Sequence, residues 1–206
     1  MSHVPSNAGC KYPVEVPTRE EVNAVLKLCS RRAPSGIRNR ALLVTLYRSG
    51  LRVQEALDLL PKDIDFAAAT INVRSGKGGK QRIVGVDDGA LGAIEAWMTK
   101  RSTLGVTAKQ PLFCQITRGR EGRPLHQQVV RDVLNRLGAR AGIDKRLHCH
   151  ALRHACASEM VAEGFDLSHV QAQLGHSSLT ITQRYIAKIA PHQLASAMKA
   201  RTWAAS

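Results

Sequence analysis

Arg52, Lys77, His150, Arg153 and Tyr185 lie far apart in the chain, yet together they are side chains that could cut a phosphodiester. The transition state of that reaction spreads negative charge over the non-bridging phosphate oxygens, so fixed cationic donors must meet it. Arginine suits the task because it is always charged and can grip two oxygens at once. A nucleophile must attack phosphorus, a base can take its proton, and an acid must protonate the departing oxygen. Arg52 follows Ser49-Gly50-Leu51, Arg153 lies three residues after His150, and Lys77 sits in a glycine-rich stretch. Tyr185 stands among polar and basic residues in LGHSSLTITQRYIAK, whereas a tyrosine bound for a core normally sits in an apolar run.

Other readings of these segments compete. GKGGK at 76–80 lacks the GxxxxGK[ST] order and the following Ser or Thr, which sets aside a nucleotide-binding loop. HCHALRHACA gathers His148, Cys149, His150, His154 and Cys156, and His150 and His154 have the spacing of helical metal ligands. Arg153 puts a fixed positive charge between them and no HExxH glutamate accompanies them, so no metal is expected. DLSHVQAQLGHSSLTITQRY reads as two short helices around a glycine turn, the layout of a helix-turn-helix protein that binds DNA without chemistry.

Charge narrows the classes. Lys and Arg total 30 against 16 Asp and Glu in 206 residues, a net charge of +14. Such an excess repels itself in the folded state, so a polyanion, nucleic acid above all, is the natural partner; a merely solvated basic surface is the plain alternative. No apolar run approaches the roughly 18–20 residues of a membrane span, and MSHVPSNAGC lacks the layout of a signal peptide. The five cysteines (Cys10, Cys29, Cys114, Cys149 and Cys156) are odd in number and form no CxxC pair, which favours reduced thiols in a cytosol.

These side chains need a frame. Residues 1–12 read as a loose tail. Thr18 and Glu21 form a capping box, and Val22, Val25, Leu26 and Cys29 recur at helical spacing behind it. SGIRNRALLVTLYRSG predicts a second helix with Leu42, Leu43 and Leu46 inward and Gly50 ending it. RVQEALDLL predicts a third that stops before Pro61. TINV and QRIVGV, with RSGKGGK between them, predict a β-hairpin with a basic, glycine-rich tip. Helical periodicity returns in ALGAIEAWMTK and in LHQQVVRDVLNRLGARAG, whose Val129, Val130, Val133, Leu134 and Leu137 are expected on one stripe. HALRHACASEMVAEG, DLSHVQAQLG, SLTITQRYIAK and PHQLASAMKA predict the remaining helices. The sum is a mainly α domain carrying a small antiparallel β-sheet, an α+β chain.

YRSGLRVQEALDL, VRSGKGGKQRIVGV, HALRHACAS and LGHSSLTITQRY occur in the order, and at about the distances, of the tyrosine recombinases, the family of phage integrases and Xer-type resolvases. The chain resembles that family's catalytic domain from about Pro17 to Ala190. The resemblance implies that Arg52 and Arg153 clamp the scissile phosphate, and that His150 contacts it or handles a proton. His176 would hydrogen-bond a phosphate oxygen, and Lys77, with Lys80 as its rival, would protonate the leaving 5′ oxygen. Tyr185 would become a 3′-phosphotyrosine. Glu55 would orient Arg52, and His154 would pack behind the site. Arg74, Lys80, Arg82 and Arg184 are expected to bind DNA.

The resemblance also implies double-stranded DNA with attachment-type core sites as partner, a homo-oligomer on DNA (a tetramer) with a monomer possible without it, and no cofactor, since arginines and a lysine supply the positive charge. Expected organisation is a catalytic domain over 13–206, with no separate N-terminal core-binding domain and a C-terminal helix near 191–201 that packs in trans or on its own domain. The expected setting is the cytoplasm and nucleoid of a bacterial host, integrating or excising a phage or mobile element. A type IB-like topoisomerase shares the chemistry and stands beside the non-catalytic DNA-binding protein as an alternative.

Overall fold

Thr18 opens the first helix as the sequence predicts. Its hydroxyl accepts from the Glu21 N–H at 3.3 Å, and the Glu21 carboxylate accepts from the Thr18 N–H at 2.7 Å, so two otherwise orphaned donors are satisfied. A computed structural model describes residues 16–74 and 81–175. The expectations for the tail, for Lys77, Lys80, His176, Arg184 and Tyr185, and for the last two helices lie outside the described residues.

The elements run α1 (Arg19–Lys27), α2 (Pro34–Ser49), α3 (Val53–Leu57), a 3₁₀ turn (Pro61–Asp63), β1 (Ile64–Asp65), β2 (Thr70–Val73), β3 (Arg82–Gly85), α4 (Asp88–Ser102), α5 (Gln127–Arg140), α6 (Cys149–Ala162) and α7 (Leu167–Leu174). The sheet is antiparallel in the order β1-β2-β3, with Ile71 opposite Val84 and Val73 opposite Arg82. This is the mainly α fold with a small antiparallel sheet that periodicity predicts.

α2 is the central helix. It packs on α4 and on α6, so Ala41 through Tyr47 are buried without interruption and not only the three leucines of one face. Two buried hydroxyls of this helix are satisfied locally: Thr45 and Ser49 donate to the carbonyls of Ala41 and Thr45 at 2.8 and 2.6 Å. Trp97 of α4 closes the far side of the core, its indole N–H on the Leu112 carbonyl at 2.7 Å. Each fully buried large side chain of this kind contributes roughly 1.5–3 kcal/mol.

Three local differences from the sequence reading have physical causes. Val129 is 40% exposed, because it falls about 40° beyond the edge, marked by Val133, of the stripe that Val130, Val133, Leu134 and Leu137 bury. α3 ends at Leu57 rather than Leu60, since the Asp63 carboxylate takes the Leu60 N–H at 2.7 Å and starts a 3₁₀ turn at Pro61. β1 is a two-residue strand, too short to show any alternation. Among the described residues no helix is long and apolar enough to cross a membrane.

Candidate active site

The site begins where two helices end. Gly50 closes α2 and Gly175 closes α7, both in the left-handed conformation at φ 65° and 64°. A Cβ on Gly50 would come within 2.6 Å of Leu174 and 3.2 Å of the Cys156 sulfur, so glycine is what lets α2, α6 and α7 meet there. Arg153 of α6 runs between the two ends. Its Nη1 donates to the Gly50 carbonyl and its Nη2 to the Leu174 carbonyl, each at 2.5 Å. Helix C-termini carry carbonyls without intrahelical partners and a partial negative charge, and one guanidinium, only 1% exposed, answers both.

Arg52, two residues past Gly50, is the N-cap of α3. Its backbone N–H and its Nη1 each donate to Glu55 at 2.8 Å. Arg82 of β3 reaches the same carboxylate from across the domain, Nη1 to Oε1 at 2.9 Å and Nη2 to Oε2 at 2.8 Å. Burial by itself would raise the Glu55 carboxyl; the hydrogen bonds of Arg82 and Arg52 outweigh it and hold the pKa at about 2. Glu55 is therefore ionised at any working pH.

α6 supplies the imidazoles. His148 is the N-cap, its Nδ1 accepting from the Ala151 N–H at 3.1 Å, which requires that nitrogen to be unprotonated. Desolvation first, and then the charge of Arg146, push its pKa down. His150 stands one turn before the buried His154, with ring centroids 4.5 Å apart and planes nearly perpendicular. The protein packed around His150, then the charges of Arg153, His148 and Arg52, push it below the usual imidazole range, so it is neutral at pH 7. A cleft of about 470 Å³ opens beside it, lined by His148, His150, Arg131 and Arg146 among others.

Arg52, Glu55, Arg82, His150, Arg153 and His154 thus gather where α2, α3, α6 and β3 meet. Arg74 donates elsewhere, to Asp63 at 2.9 Å and to the Asp58 carbonyl at 2.7 Å, although it lines a small cleft together with Glu55. Among the described residues no three His, Cys, Asp or Glu side chains are placed to hold a metal ion. Sequence reasoning missed Arg131 and Arg146, which flank the cleft; the exposed face of α5 carried the only available signal for the first. It also missed Gln173. The carboxamide of that residue bonds both backbone groups of Gly85 and the Ser49 carbonyl, tying β3 to α7 and to the end of α2.

A mainly α domain that sets two arginines and a histidine around the end of its central helix, beside a three-stranded sheet, has the fold of the tyrosine recombinase catalytic domain. The chain belongs to the phage integrase family, whose sequence model matches residues 15–192. It is 34% identical over 180 residues to tyrosine recombinase XerC of Syntrophus aciditrophicus, covering 86% of this chain and 57% of that one. The chain therefore spans a little over half the length of that relative. Its fold is similar to the crystal structure of XerA recombinase, with a TM-score of 0.78 and 25% identity over 97% of this chain and 68% of that chain. It is also similar to XerH site-specific recombinase bound to a palindromic difH substrate in a post-cleavage complex, with a TM-score of 0.71 and 30% identity over 86% of this chain and 50% of that chain.

Proposed function

We propose that this chain is the catalytic domain, over 13–206, of a site-specific recombinase that cuts and rejoins double-stranded DNA through Tyr185. The observation that carries the reading is the convergence of Arg52, Arg153 and His150 around the Gly50 end of α2, three motif residues from two distant stretches of sequence. Membership of the phage integrase family supports it.

In this reading Arg52 and His176 hold the scissile phosphate, and Arg153 clamps it from behind, its positive charge neutralising charge that grows on the phosphate oxygens while its terminal nitrogens keep the Gly50 and Leu174 carbonyls. His150, neutral at pH 7 by the desolvation and neighbouring charges given above, is in a state to take a proton from the phenol. The Tyr185 oxygen bonds to phosphorus, the bond to the 5′ oxygen breaks, and Lys77 or Lys80 protonates that leaving oxygen. The product is a 3′-phosphotyrosine and a free 5′-hydroxyl. Attack by the 5′-hydroxyl of a second strand reverses the step, so no external energy source is needed. Lys80, Arg74 and Arg184, together with Arg131 and Arg146 at the cleft, are assigned to the DNA backbone. Strand exchange requires paired sites and hence a tetramer on DNA, in a cytoplasmic setting where a phage or mobile element is integrated or excised.

A nicked duplex tests this. Cleavage next to the nick releases a short strand that diffuses away, trapping the covalent adduct. Wild-type protein, offered duplexes first selected for binding, is expected to form a 3′-linked adduct, and Tyr185→Phe none. Binding without any adduct would instead favour a non-catalytic DNA-binding protein.

A further inference from the structure

Arg82 lies next to the active site but faces away from the job its charge suggests. We infer that Arg82 is a positioning residue for Arg52, acting through Glu55, and not a ligand of the DNA backbone. This rests on the recombinase reading above.

The two guanidiniums on Glu55 differ in what they leave open. Both terminal nitrogens of Arg82 are committed to the carboxylate in the bidentate fork that suits arginine, and its side chain is 14% exposed. Arg52 engages Glu55 through Nη1 alone, its Nη2 has no partner among the described residues, and its side chain is 31% exposed. Arg52 can therefore still receive a phosphate oxygen, whereas Arg82 would have to abandon a buried carboxylate to do so.

Charge explains why a second arginine is needed. Without Arg82 the buried Glu55 carboxylate has Arg52 as its one cationic partner and draws that guanidinium inward. With Arg82 holding both carboxylate oxygens, Arg52 stays engaged through Nη1 and keeps its other terminal nitrogen outward. A buried carboxylate with too few partners is also costly, and the Arg82 fork together with the backbone N–H and Nη1 of Arg52 removes that cost.

Arg82 has a second contact that belongs to the same task. A Cβ on Gly175 would lie 2.7 Å from Arg82 Nε, 2.8 Å from Cδ and 2.9 Å from Cζ, so the side chain lies against the cap of α7, immediately before His176 in sequence. At the other end, β3 directly follows the stretch 75–80 that holds Lys77 and Lys80. Arg82 thus joins β3 to α3 through Glu55 and to the cap of α7 at Gly175.

Single-turnover adduct formation on the nicked duplex, measured beside DNA affinity over a salt series, tests the inference. Arg82→Gln is expected to slow adduct formation about 10- to 100-fold, the usual penalty of a small misplacement, with Kd within about twofold and an unchanged salt slope. Arg82→Lys, which keeps one ion pair, should recover part of the rate. Glu55→Gln combined with Arg82→Gln should show a smaller defect than the product of the two single defects, and it contains no unpaired carboxylate should Arg82→Gln alone fold poorly. Weaker binding with a salt slope shallower by about one would make Arg82 a phosphate ligand and overturn the inference. Wild-type adduct rates in folded variants of lowered Tm would also overturn it, leaving a purely structural residue. An absent wild-type adduct is a different failure, that of the recombinase reading itself.

Discussion

Gln173 and Gly85 are joined by two hydrogen bonds that copy the pairing of one strand with the next. The Gly85 N–H donates to Oε1 at 2.9 Å, and Nε2 donates back to the Gly85 carbonyl at 2.7 Å. β3 ends the sheet order, so without this side chain its outer backbone groups would meet water or another chain. Nε2 also reaches the Ser49 carbonyl at 3.1 Å, which anchors the hairpin to the helix that leads into Arg52.

Gln173→Leu is therefore expected to lower unfolding free energy by about 1.5–3 kcal/mol, since three partly exposed hydrogen bonds are lost and each contributes toward the lower end of roughly 0.5–1.5 kcal/mol. Urea titration measures the loss. Hydrogen exchange locates it: the Gly85 amide should be protected in the wild type, despite its edge position, and exchange much faster in the variant. Equal protection in both proteins would mean the carboxamide does not pair with the strand in solution.

The frame was largely readable from periodicity because its helices are amphipathic or capped by local residues. The capping box of Thr18 and Glu21 needs only four residues of sequence, and the stripe from Val130 to Leu137 needs only two turns. The burial of α2 on nearly all sides was not readable, since α4 and α6 cover it from places that no window contains. The same division runs through the site. Motif order placed Arg52, His150 and Arg153 in one centre, and the structure gathers them. The partner of Arg82 was hidden, because Glu55 lies 27 residues away and a basic residue beside a glycine-rich tip reads as a DNA contact. Gln173 carries no motif at all, and only the docking of α7 on the sheet edge gives it a task.

Acid should act on the fold through Glu55. Its carboxyl is held at about 2 in the folded protein, where burial opposes and the hydrogen bonds from Arg82 and Arg52 prevail. An unfolded glutamate titrates near 4.3. A depressed native pKa contributes stability that is fully present above the unfolded value and is lost as pH falls through the folded one. The contribution is thus intact above about pH 5 and disappears between about pH 4 and 2, amounting to roughly 3 kcal/mol at most. Urea unfolding across that range should show a steeper acid decline for wild type than for Glu55→Gln. Parallel declines would mean that the carboxylate is not held so firmly.

Arg153 separates a role in the fold from a role in the chemistry. A guanidinium whose only duty was to grip the scissile phosphate would be dispensable to the protein without DNA. Here the two terminal nitrogens join the C-terminal ends of α2 and α7 through the carbonyls of Gly50 and Leu174, at a place only 1% exposed. An ammonium has no fork, so a lysine at 153 can reach one of these carbonyls and leaves the other buried without that partner. Losing a charge-assisted bond to a buried acceptor costs about 2–3 kcal/mol. Arg153→Lys should therefore unfold at lower urea in the absence of DNA, by an amount that added DNA does not erase. Its adduct formation should fall further than that of Arg52→Lys, because Arg52 lies at a helix start and holds only its own neighbour Glu55. Unchanged DNA-free stability in Arg153→Lys would show that the bracket between the two helix ends contributes nothing to the fold, and would return Arg153 to the phosphate alone.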